Sequence, residues 1–219
     1  MLAFDIGANR GDWTHAALQQ GYKIVALEPG TIFNQLVKNY IYNPNVIMLK
    51  LAVDSTSDNT VSFYEAEEDG LSTLNIEWLT AEHLPYAGKP FTTVKVRTVT
   101  VDDLVQQYGE PQLIKIDVEG AEWNVLNGMS RKYGMLSFEW TQATLDEHEK
   151  QLRYLKQLGY SYVAPQYIEH HCLKPSDWFP LHGFNISRWV HETSELWETS
   201  GWKVSGLRPT ADVGMLWLK

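Results

Sequence analysis

LIKIDVEGAEWNVLNG, residues 113–128, is the stretch on which the reading of this chain turns. Leu113 to Ile116 is a short apolar run, broken only by Lys115, of the kind that a strand buried on both faces shows. Asp117 ends it, Glu119 and Glu122 follow, and an apolar stripe then resumes at helical spacing. Three carboxylates crowded into a strand-to-helix turn repel one another and resist desolvation. Such a turn is costly unless it holds a metal, a cation or a proton in transit.

Outward from that turn the chain alternates strand and helix. LAFDIG (2–7) reads as a strand, WTHAALQQG (13–21) as a helix with Gly21 as its stop, and KIVALEP (23–29) as a buried strand. TIFNQLVKNY (31–40) puts Phe33, Leu36, Val37 and Tyr40 at helical spacing, with Thr31 placed to cap, and VIMLKLAV (46–53) is a third strand. Residues 54–98 are polar and break the rhythm. Within them TVSFYEA and TTVKVRTV suggest small strands of a separate excursion. Thr100 and Asp103 form a capping box ahead of a helix at TVDDLVQQYG. After the opening stretch come a strand at GMLSFEW, a helix at TLDEHEKQLRYLKQLG lined by Leu145, His148, Leu152, Leu155 and Leu158, and a strand at YSYVAP. Residues 165–212 are irregular and aromatic apart from a helix at ISRWVHETSELW, and GMLWLK closes the chain as a strand. The expectation is a single α/β domain over residues 1–219. It is doubly wound around a mostly parallel, seven-stranded Rossmann-like sheet, with a β-rich excursion after the third strand and an aromatic insertion or lid before the last. Ligands of such sheets sit beyond the carboxyl ends of the strands.

A net charge of -9 argues against nucleic acid or an anionic membrane surface as partner. The single cysteine, Cys172, excludes an internal disulfide framework. The start reaches Asp5 too early for a signal peptide, and no run approaches a membrane span, so a soluble cytoplasmic protein is expected. Five of the nine tryptophans lie in the last 42 residues (Trp178, Trp189, Trp197, Trp202, Trp217). They suit core and lid packing, or a platform for a sugar ring.

The strand-end residues carry the chemistry. In DIGANRG (5–11), Asp5 stands before a turn with Gly7, Asn9 and Gly11, and the G-x-G-x-x-G of pyrophosphate binders is absent. An acid there suits an amino-bearing ligand. Glu28, ending the second strand, is placed to accept from a ribose diol. Together they indicate S-adenosylmethionine, with Asp54 and Ser55 near the adenine and Asp117 completing the cofactor set.

DIGANRGDWT, VALEP, VTVDDL and LIKIDVEGAEWNVLNG together resemble the FkbM-family methyltransferases, over roughly residues 3–140. The resemblance implies a class I fold, S-adenosylmethionine as cofactor, and transfer of methyl to a hydroxyl oxygen of a small molecule or carbohydrate. It also implies that Leu71–Leu74, a serine-bearing stretch, lies over the cofactor. A neutral alcohol attacks a sulfonium methyl usefully only as it loses its proton. Asp117 or Glu119 as general base would take that proton, with Glu139 converging from the next strand. Alternatively Asp117, Glu119 and Glu139 hold Mg2+ or another divalent cation. Lys115 points to the face of Asp117 and is placed to pair with a carboxylate. Glu122 equally suits a helix-dipole role. His15 reads as a surface or packing residue. The Glu169–Cys172 group, with His182 and His191 distant, lacks zinc spacing, though one of these histidines is an alternative acceptor-side base. Two other readings stand beside this one: a nucleotide-dependent oxidoreductase, and a binding module that has kept the fold without the chemistry.

Overall fold

The computed structural model describes residues 1–68, 70–167, 175, 177–200 and 213–219, with the side chains of 194–200 left aside. In chain order the elements are β1 (Leu2–Ile6), α1 (Asp12–Gln19), β2 (Lys23–Leu27), α2 (Phe33–Tyr40), β3 (Val46–Leu49), β4 (Ala52–Val53) and β5 (Thr60–Ala66). Then follow α3 (Glu77–Thr80), β6 (Phe91–Val99), α4 (Val101–Tyr108), β7 (Leu113–Ile116), α5 (Glu122–Asn127) and β8 (Met135–Thr141). The chain closes with α6 (Leu145–Gln157), β9 (Tyr162–Tyr167), β10 (Phe179–Pro180), α7 (Ile186–Ser200) and β11 (Val213–Leu218).

The main sheet runs β10-β9-β11-β8-β7-β1-β2-β3, and β4-β6-β5 form a second, smaller sheet. The main sheet is parallel except that β11 runs against both its neighbours and β10 runs against β9. This is the expected doubly wound, mostly parallel α/β fold. Among the described residues the main sheet has eight strands rather than seven, because the two-residue β10, too short to show any periodicity, pairs onto the outer edge of β9. The expected third strand is also two: the chain breaks at Lys50 and Leu51, and β4 leaves the main sheet to pair with β6. Thr31 does not cap α2, which begins after Ile32 without a side-chain cap. Its N–H instead donates to Glu65, on the excursion's strand β5. The Thr100 cap forms, its hydroxyl accepting from the Asp103 N–H at 3.1 Å.

The main sheet carries apolar side chains on both faces, as parallel strands require. Phe4, Ile6, Ile114, Ile116, Leu136 and Phe138 join the core that includes residues of α4, α5 and α6. Ala3, Ile24, Ala26 and Leu113 face the side of α1 and α2. On that second face a polar row crosses the sheet, since Asp5 pairs in register with Lys115 and Lys115 with Ser137. All three are buried. Among the described residues no helix is long and apolar enough to cross a membrane. The Glu169–Cys172 group, Trp202 and the side chain of Trp197 lie outside the described residues.

Candidate active site

A cavity of about 840 Å³ opens at the carboxyl ends of β1, β2 and β7, where the sheet order switches direction. The β1 turn forms its floor. Gly7 lies at φ 77, and a Cβ there would stand 1.7 Å from the Asp117 carbonyl oxygen, so no other residue fits. The N–H groups of Gly7 and Ala8 donate to Leu27 O at 3.0 and 2.9 Å, tying the turn to the end of β2.

Glu28 is fixed next to it. Its Oε2 accepts from the Asn9 N–H at 3.0 Å and its Oε1 from the Gly30 N–H at 2.8 Å. Burial pushes its carboxyl above the usual range, and those two backbone donors oppose the rise. Gly7, Asn9, Glu28, Asp117 and Glu119 all line the cavity. So do Ser72 and Leu74, from the stretch expected to lie over the cofactor.

Four of the nine candidate residues do not line the cavity: Glu139, which joins the acid cluster beside it, and three that stand elsewhere. Asp5, expected against the ligand, is fully buried behind the glycine turn, where it accepts from Thr14 Oγ1 at 2.6 Å. Lys115 explains this placement. Its Nζ donates to Gly7 O at 2.7 Å and lies 3.4 Å from Asp5 Oδ1 and 3.3 Å from Asp117 Oδ2. One buried cation therefore links the acid under the turn to the acid at the cavity wall. Gly11 packs on α2, where a Cβ would meet the Tyr40 ring at 2.4 Å. Asp54 turns away to accept from the Ser55 N–H at 2.7 Å and does not reach the wall.

At the other end of the cavity the acids converge. Asp117, Glu119 and Glu139 each offer one oxygen, all within 4.8 Å of one another, and each residue is half-buried. Glu139 meets the cluster from β8, although it does not line the cavity itself. Glu119 sits at φ 57, unfavourable for a side chain with a Cβ, and the excursion holds it there. Trp78 Nε1 donates to Glu119 Oε2 at 3.2 Å, the Trp78 ring fills the space beside Gly120, and Asn75 Nδ2 donates to Gly120 O at 3.1 Å. Tyr86 packs against Trp78 with ring centroids 5.2 Å apart and the rings tilted at 47°. Burial, then the charges of Glu119, Glu139, Glu68 and Asp117, push its phenol up to about 12, so it keeps its proton. Glu122 faces inward. Its Oε1 accepts from the Val118 and Gly120 N–H groups at 3.1 and 3.3 Å, and burial raises its carboxyl to about 7.

Sequence reasoning missed Trp78 and Tyr86, since nothing local in 75–91 announces contact with a turn forty residues on. Glu65 was missed too, although period-two alternation in TVSFYEA puts it on the face of Phe63, and both line the cavity. Near the carboxyl end of β9, Trp189 stacks on Tyr167 at 4.7 Å and Trp140 meets both edge-on.

A model of the family described as Methyltransferase FkbM domain matches residues 5–162. No curated protein matches the chain. Among solved structures, the Precorrin-6y C5,15-methyltransferase from Geobacter metallireducens GS-15 is similar over 100% of this chain and 80% of its own, at 11% identity and a TM-score of 0.43. A TehB-like SAM-dependent methyltransferase from Corynebacterium glutamicum is similar over 100% and 79%, at 10% identity and a TM-score of 0.41. The plantazolicin methyltransferase BpumL, solved with a triazolic desmethylPZN analog and SAH, is similar over 100% and 76%, at 9% identity and a TM-score of 0.42.

Proposed function

The chain belongs to the FkbM methyltransferase domain family, and on that premise we propose that it is an S-adenosylmethionine-dependent O-methyltransferase acting on a hydroxyl of a small molecule or carbohydrate. The observation that carries the reading is that Glu28 and the pair Asp117 and Glu119 line one cavity. A nucleoside-binding acid and proton-accepting acids thereby face a shared space.

Glu28 would hold the ribose of S-adenosylmethionine, and Asp117 and Glu119 would stand on the acceptor side of the cavity. The acceptor hydroxyl enters from the acid cluster. The cofactor would supply a methyl group on a sulfonium that departs as a neutral thioether, and Asp117 or Glu119 would take the proton that the attacking hydroxyl gives up. Alignment of oxygen, carbon and sulfur supplies much of the acceleration. Lys115, 3.3 Å from Asp117 Oδ2, holds that carboxylate in place at the cavity wall.

A second reading of the same acids is favoured by the convergence of Asp117, Glu119 and Glu139. They form an all-oxygen seat for Mg2+ or a similar hard cation, which would lower the acceptor hydroxyl's pKa.

The test is calorimetric titration of S-adenosylhomocysteine into the protein, with and without Mg2+ and with Glu28→Ala as control. Transfer of labelled methyl to a panel of sugars and hydroxylated small molecules follows. Micromolar binding, about -8 kcal/mol, lost in Glu28→Ala, is expected. Absence of binding under every condition would sink the reading. Methyl transfer abolished by a chelator and restored by Mg2+ would replace the general base with the metal.

A further inference from the structure

Glu65 was not among the residues expected at the cofactor site, yet it stands directly beside Glu28. The two carboxylates approach Gly30 from opposite strands: a Cβ on Gly30 would lie 2.9 Å from Glu65 Oε1 and 3.0 Å from Glu28 Oε1. Glu28 takes the Gly30 N–H, Glu65 takes the Thr31 N–H, and both side chains line the cavity. Glu65 reaches this point because the excursion's strand β5 crosses the end of β2, with Phe63 and Glu65 on the face turned to the cavity. Phe63 is buried beneath it, fixing the strand in place.

Two acids this close repel unless donors lie between them. The backbone supplies three N–H donors to the pair, from Asn9, Gly30 and Thr31. A carboxylate has about four acceptor positions, so the pair can take more hydrogen bonds than the turn provides. A vicinal diol offers two O–H donors, one for each carboxylate. We propose that Glu65 is a second cofactor-recognition residue, and that the ribose diol bridges Glu28 and Glu65, so that the excursion grips the cofactor as well as walling the acceptor side. This rests on the S-adenosylmethionine reading above and adds a residue and a specificity to it.

The test is a four-cornered cycle. S-adenosylhomocysteine and its 2′,3′-dideoxy analogue are titrated into the wild type and into Glu65→Gln, which retains an oxygen to accept the Thr31 N–H. Glu65→Ala serves as a second variant, and melting curves report on folding. Hydrogen bonds to charged groups are worth a tenfold to hundredfold change in binding. The expected result is that Glu65→Gln binds S-adenosylhomocysteine about tenfold more weakly, binds the dideoxy analogue as the wild type does, and melts with it. An equal loss for both ligands, or wild-type binding of S-adenosylhomocysteine by both Glu65 variants while Glu28→Ala loses it, would overturn this inference alone. Absence of binding by the wild type would overturn it together with the cofactor reading.

Discussion

At the scale of single residues, the site depends on a lysine whose sequence signal was only its parity with Asp117. Lys115 is 3% exposed and Asp5 is 0% exposed, and the cation stands between Asp5 and Asp117. Removing one partner of a buried pair strands the other's charge, at a cost of about 3–5 kcal/mol. Lys115→Met is therefore expected to lower stability by about that amount, read from urea midpoints. Adding Asp5→Asn, which keeps an acceptor for Thr14, is expected to recover much of the loss. A double variant no more stable than Lys115→Met would show that the pairing is not what matters. The sequence made Gly7, Glu28, Asp117 and Glu119 legible because each sits at a strand end, where any α/β sheet presents residues to ligand. It misplaced Asp5 because strand-end position does not say to which side a carboxylate turns, and a buried lysine on the neighbouring strand β7 decided that.

Among the elements, strands and helices with long, regular patterns were read correctly, such as α6, whose Leu145, His148, Leu152 and Leu155 lie where the spacing put them. Short segments set by tertiary pairing were not: β4 and β10 are two residues each and owe their existence to β6 and β9. The excursion is the most consequential of these. It holds a small core of its own, Leu71, Trp78, Leu79 and Leu84, apart from the main one, and touches the acid turn through Trp78 and Asn75. A unit with few buried contacts opens before the whole protein does. Leu79 is fully buried there, and Leu79→Ala removes contacts worth about 2–5 kcal/mol. Cleavage within 71–91 by a protease at low concentration is expected to accelerate, while amide exchange in β1, β7 and β8 stays slow. Uniformly faster exchange across the main sheet would mean that the excursion is not a separate unit.

For the whole molecule, two buried groups with opposed titrations, Glu122 and His148, contribute to the response to pH. Burial holds the Glu122 carboxyl at about 7 against an ordinary 4.5. Between those values the folded protein carries a proton that the unfolded chain lacks, so stability falls as pH rises. His148 does the reverse. Burial lowers its imidazole to about 4 from 6.5, and its contacts with Gln151 Oε1 at 2.8 Å and the Thr141 N–H at 3.0 Å do not offset that. There the unfolded chain carries the extra proton, and stability falls as pH drops. From about 4.5 to 6.5 the two slopes, each about 1.4 kcal/mol per pH unit, cancel. Each is exposed by removing the other. Relative to the wild type, Glu122→Gln is expected to gain about 2 kcal/mol between pH 5 and 6.5 in urea midpoints converted to free energy. His148→Gln is expected to lose a similar amount over the same interval. If both difference curves were flat, neither group would hold in the fold the protonation that its burial demands. A slope for one variant alone would assign the pH response to a single end of the sheet's carboxyl edge, the acid turn or the junction of β8 with α6.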